Sequence, residues 1–229
     1  MKKWAYVLIP SMAVLAPLFL SFDEKVGFYQ FFIPYLISTT LVGLLYLIWD
    51  ALVVIKGHWK FNDDFVGTWR FFHLPLGEYL FFFFIPYSCL FLYEVGRAYF
   101  GSFIVFPWIG MISQIISIII LGLAFIYRKK GYSFLALVSV ALFFQLQGIF
   151  FPELLGSFDF LFFIGFSTLG FLLVDGLYTS LPTIFYNPQS YWNIRLFSIP
   201  LEDFLYNLSH LGLILIVYLL AKSWFRLAA

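Results

Sequence analysis

Residues 74–83 read Leu74-Pro75-Leu76-Gly77-Glu78-Tyr79-Leu80-Phe81-Phe82-Phe83, and 125 residues further on the chain reads Ile199-Pro200-Leu201-Glu202-Asp203-Phe204-Leu205-Tyr206. In both copies a proline precedes an apolar run, and acids follow within one helical turn. Working outward at the same offset, Asp50 matches Asp175, Asn62 matches Asn187, and Arg70 matches Arg195. From Trp49 to Phe82, eight of thirty-four positions are identical to their partners, without a gap. Shared Leu and Phe carry little weight in so apolar a chain, whereas matched Asp, Asn, Arg and Pro carry more. Acids beside hydrocarbon are costly and are functional candidates by default. Two related sets point to one site built from two halves.

The setting is a membrane. Of 229 residues, 63% are hydrophobic and 11% charged, against about 25% charged in soluble domains. Apolar runs near 4–21, 31–55, 78–98, 102–127, 133–151, 158–180 and 201–222 reach the roughly 20 residues that cross a bilayer. Lipid leaves the helix as the way to satisfy the backbone of an open segment, so the chain is expected to be an all-α polytopic membrane protein of about seven transmembrane helices. Lys2 and Lys3 before the first run resemble a signal peptide, but no clear small-residue cleavage site follows. That run also lies 125 residues before the fifth, so it is kept as a structural helix. The repeat then pairs spans one to three (residues 1–101) with spans five to seven (129–229), joined by a linking span (102–128). A shift of four helices preserves orientation, so the repeats are parallel.

Nine basic residues (Lys2, Lys3, Lys56, Lys60, Arg70, Arg128, Lys129, Lys130 and Arg195) fall on the N-terminal side and four on the other. This bias puts the N-terminus and both motif loops in the cytoplasm and the C-terminus outside. The net charge of +1 offers no nucleic-acid surface, and the single cysteine, Cys89, has no partner for an intrachain disulfide. The 33 phenylalanines fit either lipid-facing bulk or an aromatic-lined cavity for a long apolar ligand.

Helical spacing groups the polar residues further. Asp203, Tyr206, Asn207 and His210 fall at i, i+3, i+4 and i+7 and share one face. Thr168, Asp175, Tyr178 and Thr179 form a second stripe, and Thr39, Tyr46 and Asp50 a third; facing inward, they would line a cavity. Glu202 and Asp203 are adjacent and point about 100° apart. Two structural readings compete. Proline and acids suit the first turn of a helix on their own, and Arg70 and Arg195 could pair with the acids in a network that merely fixes the bundle. His58, His73 and His210 lack metal-ligand spacing, so no metal is expected. There is no dinucleotide fingerprint, P-loop or nucleophile elbow, and no lysine lies mid-span in the last helix.

The segments Trp49-Asp50, His58-Trp59-Lys60-Phe61-Asn62, 74–83 and 199–206 resemble the lycopene cyclase domain, the small integral-membrane type of some bacteria, archaea and fungi. The resemblance covers both repeats, as in the fused form of the enzyme. It implies acid-catalysed, non-redox closure of the ψ-ends of lycopene into β-rings, with a carotenoid from the bilayer as substrate. It leaves open a homo-oligomer or contact with other carotenoid enzymes. The family motif commonly has two consecutive acids; here Gly77 stands in place of the first, and Glu202-Asp203 is complete. Glu78, Glu202 and Asp203 are therefore the expected catalytic acids, in a single centre to which Glu202 and Asp203 contribute most. Asp50, Asp175, Asn62, Asn187, Arg70, Arg195 and His210 are the expected support. Tyr79, Phe82, Phe204 and Tyr206 are the expected aromatic faces for a cation. With no nucleotide motif, no flavin is expected. The rival classes are a small transporter of three-plus-one-plus-three architecture, a related isoprenoid enzyme such as a carotenoid hydratase, and a non-catalytic membrane protein.

Overall fold

A computed structural model of the chain describes residues 2–227. Seven long helices form the bundle: α1 (Ala5–Leu20), α2 (Phe32–Ile55), α4 (Leu76–Phe100), α5 (Ile109–Ile126), α6 (Gly131–Phe150), α7 (Phe158–Ser180) and α8 (Leu201–Trp224). A four-residue helix, α3 (Asp63–Val66), sits in the first long loop. The protein is an all-α polytopic membrane protein. Five helices are long and apolar enough to span a bilayer, and α1 and the Ile112–Ile126 part of α5 are shorter apolar segments.

Six of the seven expected spans agree with helices to within two residues at each end. The fourth differs: α5 begins at Ile109 rather than 102. Gly101 ends α4 at φ 76°, and Val105 and Phe106 then donate their backbone N–H groups to the Gly156 carbonyl. Residues 101–108 are thus held in an extended crossing against the loop before α7, and Pro107 cannot join a helix that runs through it.

Helices α4 and α8 occupy the centre. α1 packs on α4 and α6 on α8; α7 packs on α4 and α2 on α8; α5 lies outside against α6. The two long loops meet through strands β1 (Trp59–Phe61) and β4 (Ile184–Tyr186). Their antiparallel register sets Trp59 opposite Tyr186, Lys60 opposite Phe185 and Phe61 opposite Ile184. At the repeat offset Lys60 faces its own counterpart, and the two flanking pairs exchange places. This is the pairing that a two-fold relation produces.

The matched asparagines reinforce it. Asn62 donates its side-chain N–H to the Pro182 carbonyl at 3.0 Å, and Asn187 donates to the Gly57 carbonyl at 3.1 Å. Their backbone N–H groups reach the carbonyls of Thr183 and His58, both at 2.8 Å. Each loop closes with a small hairpin, β2 (Arg70–Phe71) with β3 (Leu74–Pro75), and β5 (Arg195–Leu196) with β6 (Ile199–Pro200). Phe72 and Phe197, at matched positions, both take positive φ in the two-residue turns.

Candidate active site

Each hairpin delivers its proline to the start of a central helix, so Glu78 lies in the first turn of α4 and Asp203 in the first turn of α8. Asp50 near the end of α2 and Asp175 near the end of α7 come in from the flanking helices. All four carboxyls line one cavity of about 70 Å³ at the loop end of the bundle. Asp50 faces Glu78, and Asp175 faces Asp203. Each facing pair takes one acid from each of two helices of the same repeat, and the cavity joins both repeats.

Tyrosine hydroxyls, rather than cations, hold three of these acids. Tyr6 of α1 donates to Glu78, and Tyr132 of α6 donates to Asp203. Tyr186 of β4 donates to the other Asp203 oxygen at 2.7 Å, and Tyr206 of α8 donates to Asp50 Oδ2 at 3.0 Å. Burial, and then the neighbouring Asp203 carboxyl, pushes the Tyr186 phenol well above its usual range, which keeps it a donor. Asp50 Oδ1, Asp175 Oδ2 and His210 Nε2 are buried without a hydrogen-bond partner. Asp175 lacks a phenol because the counterpart of Tyr206 is Phe81.

The face expected on the last helix is present: Asp203, Tyr206, Asn207 and His210 all line the cavity. Of the second stripe Asp175 and Tyr178 do so, while Thr179 bonds to Ser198 at 2.7 Å. Of the third only Asp50 does, with Tyr46 bonded to Ser209 at 2.8 Å. Phe82 also lines it, edge-on to His210 at 5.0 Å.

Four expectations change. Glu202 is fully buried but lies outside the cavity; one carboxyl oxygen accepts from Ser133 at 2.5 Å and from the Trp192 backbone N–H at 2.6 Å. It ties the second loop to α6, because it points about a quarter-turn away from Asp203. Gly77, its counterpart, is also structural: a Cβ there would stand 2.5 Å from the Tyr6 carbonyl oxygen. The missing acid is thus what lets α1 approach α4 and Tyr6 reach Glu78.

The arginines do not pair with the cavity acids. Arg70 bonds to Asp63 on the surface, and Arg195 lies over the Tyr186 ring at 5.3 Å and donates to the Tyr191 hydroxyl at 3.1 Å. Both sit on hairpins outside the bundle. Asn62 and Asn187 clamp the loops together and do not reach the acids. Finally, Tyr79 and Phe204 follow the acids by one residue and face elsewhere, Tyr79 toward the Phe71 carbonyl at 2.7 Å and Phe204 onto Phe171 at 5.0 Å. The aromatics three and four residues on, such as Phe81 and Phe82, share the acid's face.

Sequence reading missed Tyr6, Tyr132 and Tyr186. Tyr6 and Tyr132 are 126 residues apart rather than 125, so a strict offset hides them. Among the described residues no three His, Cys, Asp or Glu side chains are grouped to hold a metal ion.

The family model for lycopene cyclase matches this chain twice, over residues 3–96 and 129–221. The chain belongs to the lycopene cyclase family. The two matched segments carry one facing acid pair each, and the family connects them with carotenoid cyclisation and so with a carotenoid substrate. No curated protein and no solved structure matches the chain.

Proposed function

We propose that this lycopene cyclase family member closes the ψ-ends of lycopene into β-rings by proton transfer within the four-acid cavity. One carboxyl protonates the terminal double bond. The tertiary cation is attacked by the neighbouring alkene, the ring closes, and a second carboxyl removes a ring proton. One proton is given and one taken back, so the product is an isomer of the substrate and no redox equivalent is used. The class of enzyme is then an isomerase of the intramolecular lyase type.

The observation that carries this reading is that Asp50, Glu78, Asp175 and Asp203 converge in one aromatic-walled cavity whose lining residues include His210 but no lysine or arginine. Two facing carboxyls out of water are suited to sharing and passing a proton. Asp203 accepts from two phenols, which favours the role of final base, and the Asp50–Glu78 pair then supplies the proton. Trp59, Phe81, Phe82 and Tyr178 line the cavity, and aromatic faces attract a cation. The repeats are assigned to residues 1–101 and 129–229 around the link 102–128. The cavity is placed at the cytoplasmic surface with the C-terminus outside, on the distribution of lysine and arginine.

The test is product analysis after expression in a bacterial host that accumulates lycopene, beside Asp203→Asn. A cyclised product of unchanged mass, lost in the variant, is the expected result. Unchanged lycopene with the protein present in the membrane would overturn the reading. A mass increased by one water would make the protein a hydratase, and uptake of solute into liposomes would favour the transporter.

A further inference from the structure

The acid cavity is too small for its task. An engineered cavity that binds benzene has roughly 150 Å³, and this one has about 70 Å³. Phe81 and Phe171, both half-buried, form a wall that it shares with a second cavity of about 330 Å³ between α1, α4 and α7. That cleft is apolar and extends along α4 as far as Leu92, about 21 Å beyond Glu78 at the helical rise of 1.5 Å per residue. Its outer lip includes Ala16, Leu20 and Gly170, all exposed on the face that meets lipid.

The two-fold relation predicts an equal cleft between α6, α8 and α2, and the side chains close it. Tyr46 donates to Ser209 at 2.8 Å, and Ser209 bonds to Ser139 at 2.9 Å, which stitches α2, α8 and α6 together. On the open side the corresponding residues are Phe171, Phe84 and Ala13, counting α1 against α6 by the Tyr6–Tyr132 register. In the same register Phe143 replaces Pro17. It is fully buried and lies so close over Gly212 that a Cβ there would stand 2.4 Å from its ring. His210 replaces Ile85.

We infer that the cleft between α1, α4 and α7 is the slot for the polyene chain of the carotenoid, and that the protein has one such slot. This rests on the cyclase reading. The substrate enters sideways from the bilayer, displaces Phe81 and Phe171, and places one ψ-end among the acids while its tail lies along α4. A two-ended substrate is therefore cyclised one end per visit and leaves the slot between the two closures.

Gly170 provides the test, because a Cβ added there meets nothing within 4 Å. The series Gly170→Ala, →Leu and →Phe is compared with Leu45→Phe, the matched and lipid-exposed position on the closed side, each at equal membrane levels in lycopene-accumulating cells. The expected result is a graded loss of conversion that reaches at least tenfold at Phe, with Leu45→Phe near wild type, and one-ringed product preceding any two-ringed product. Wild-type rates throughout the Gly170 series would overturn the slot, and so would an equal loss in Leu45→Phe. Two-ringed product without a one-ringed precursor at early times would overturn the single visit. An inactive wild-type chain would instead count against the cyclase reading itself.

Discussion

The two ends of the bundle bury acids equally and use them differently. At the loop end Asp50, Glu78 and Asp203 are 2%, 6% and 6% exposed; at the other end Glu94 and Asp159 are 5% and 4% exposed. Glu94 has a cation: Lys222, itself fully buried, donates to it at 2.7 Å, joined by the Tyr218 hydroxyl at 2.8 Å. Arg97 lies 3.7 Å from Asp159. The Lys222 ammonium also sits over the Phe31 ring at 3.9 Å. Burial alone therefore does not mark a site. The kind of partner does: a cation neutralises an acid and leaves it no proton to give, whereas a phenol or a second carboxyl leaves it able to exchange one.

The comparison breaks most sharply at Glu78. Glu78→Gln keeps shape and burial but removes the exchangeable proton, and it should lower conversion by about a thousandfold or more, equal to about 4 kcal/mol of barrier. Unchanged folding, read from yield and thermal melting in detergent, should accompany it; near-normal product would place the chemistry elsewhere. At the opposite end Glu94→Gln strands the Lys222 ammonium out of water. Loss of one partner from a buried pair costs about 3 kcal/mol, so the melting temperature should fall while turnover per folded molecule persists. Adding Lys222→Met should recover most of the loss, and failure to do so would show that Glu94 has a task besides the pair.

Tyr132→Phe sharpens the comparison from the phenol side. It removes one of two donors to Asp203, and about tenfold of activity should go with it, measured as conversion at matched protein level. No change in rate would reduce Tyr132 to packing. The smallest effect belongs to the exposed pair Arg70–Asp63, where Asp63→Asn should shift stability by less than about 1 kcal/mol and leave product unchanged. A larger shift would return that arginine to the ion-pair network considered for it.

Particular residues show where sequence reasoning reached and where it stopped. The Asp203–His210 face was legible because helical periodicity depends on local geometry alone. Asp50 and Asp175 were visible through the repeat and, on their polar stripes, as lining a cavity; that each faces an acid of a central helix was not, since it depends on how α2 and α7 pack against α4 and α8. Glu202 and Asp203 look alike in sequence, and the hundred degrees between them decide that one anchors a loop and the other meets the cavity. Tyr6 and Tyr132 escaped notice because they stand 126 residues apart, one out of step with the 125-residue repeat.

By itself, the sequence determined the membrane setting, the helical class, the twofold recurrence and the family. Each of these follows from composition, period and motif, which are local properties of the chain. The tertiary structure decided which acids face one another, which are tied to tyrosine and which to lysine, and why two similar halves leave one cleft open and one closed. Those outcomes turn on contacts between residues as far apart as Tyr46 and Ser209, and on whether a phenylalanine or a proline fills a few cubic ångströms, and no pattern along the chain records either.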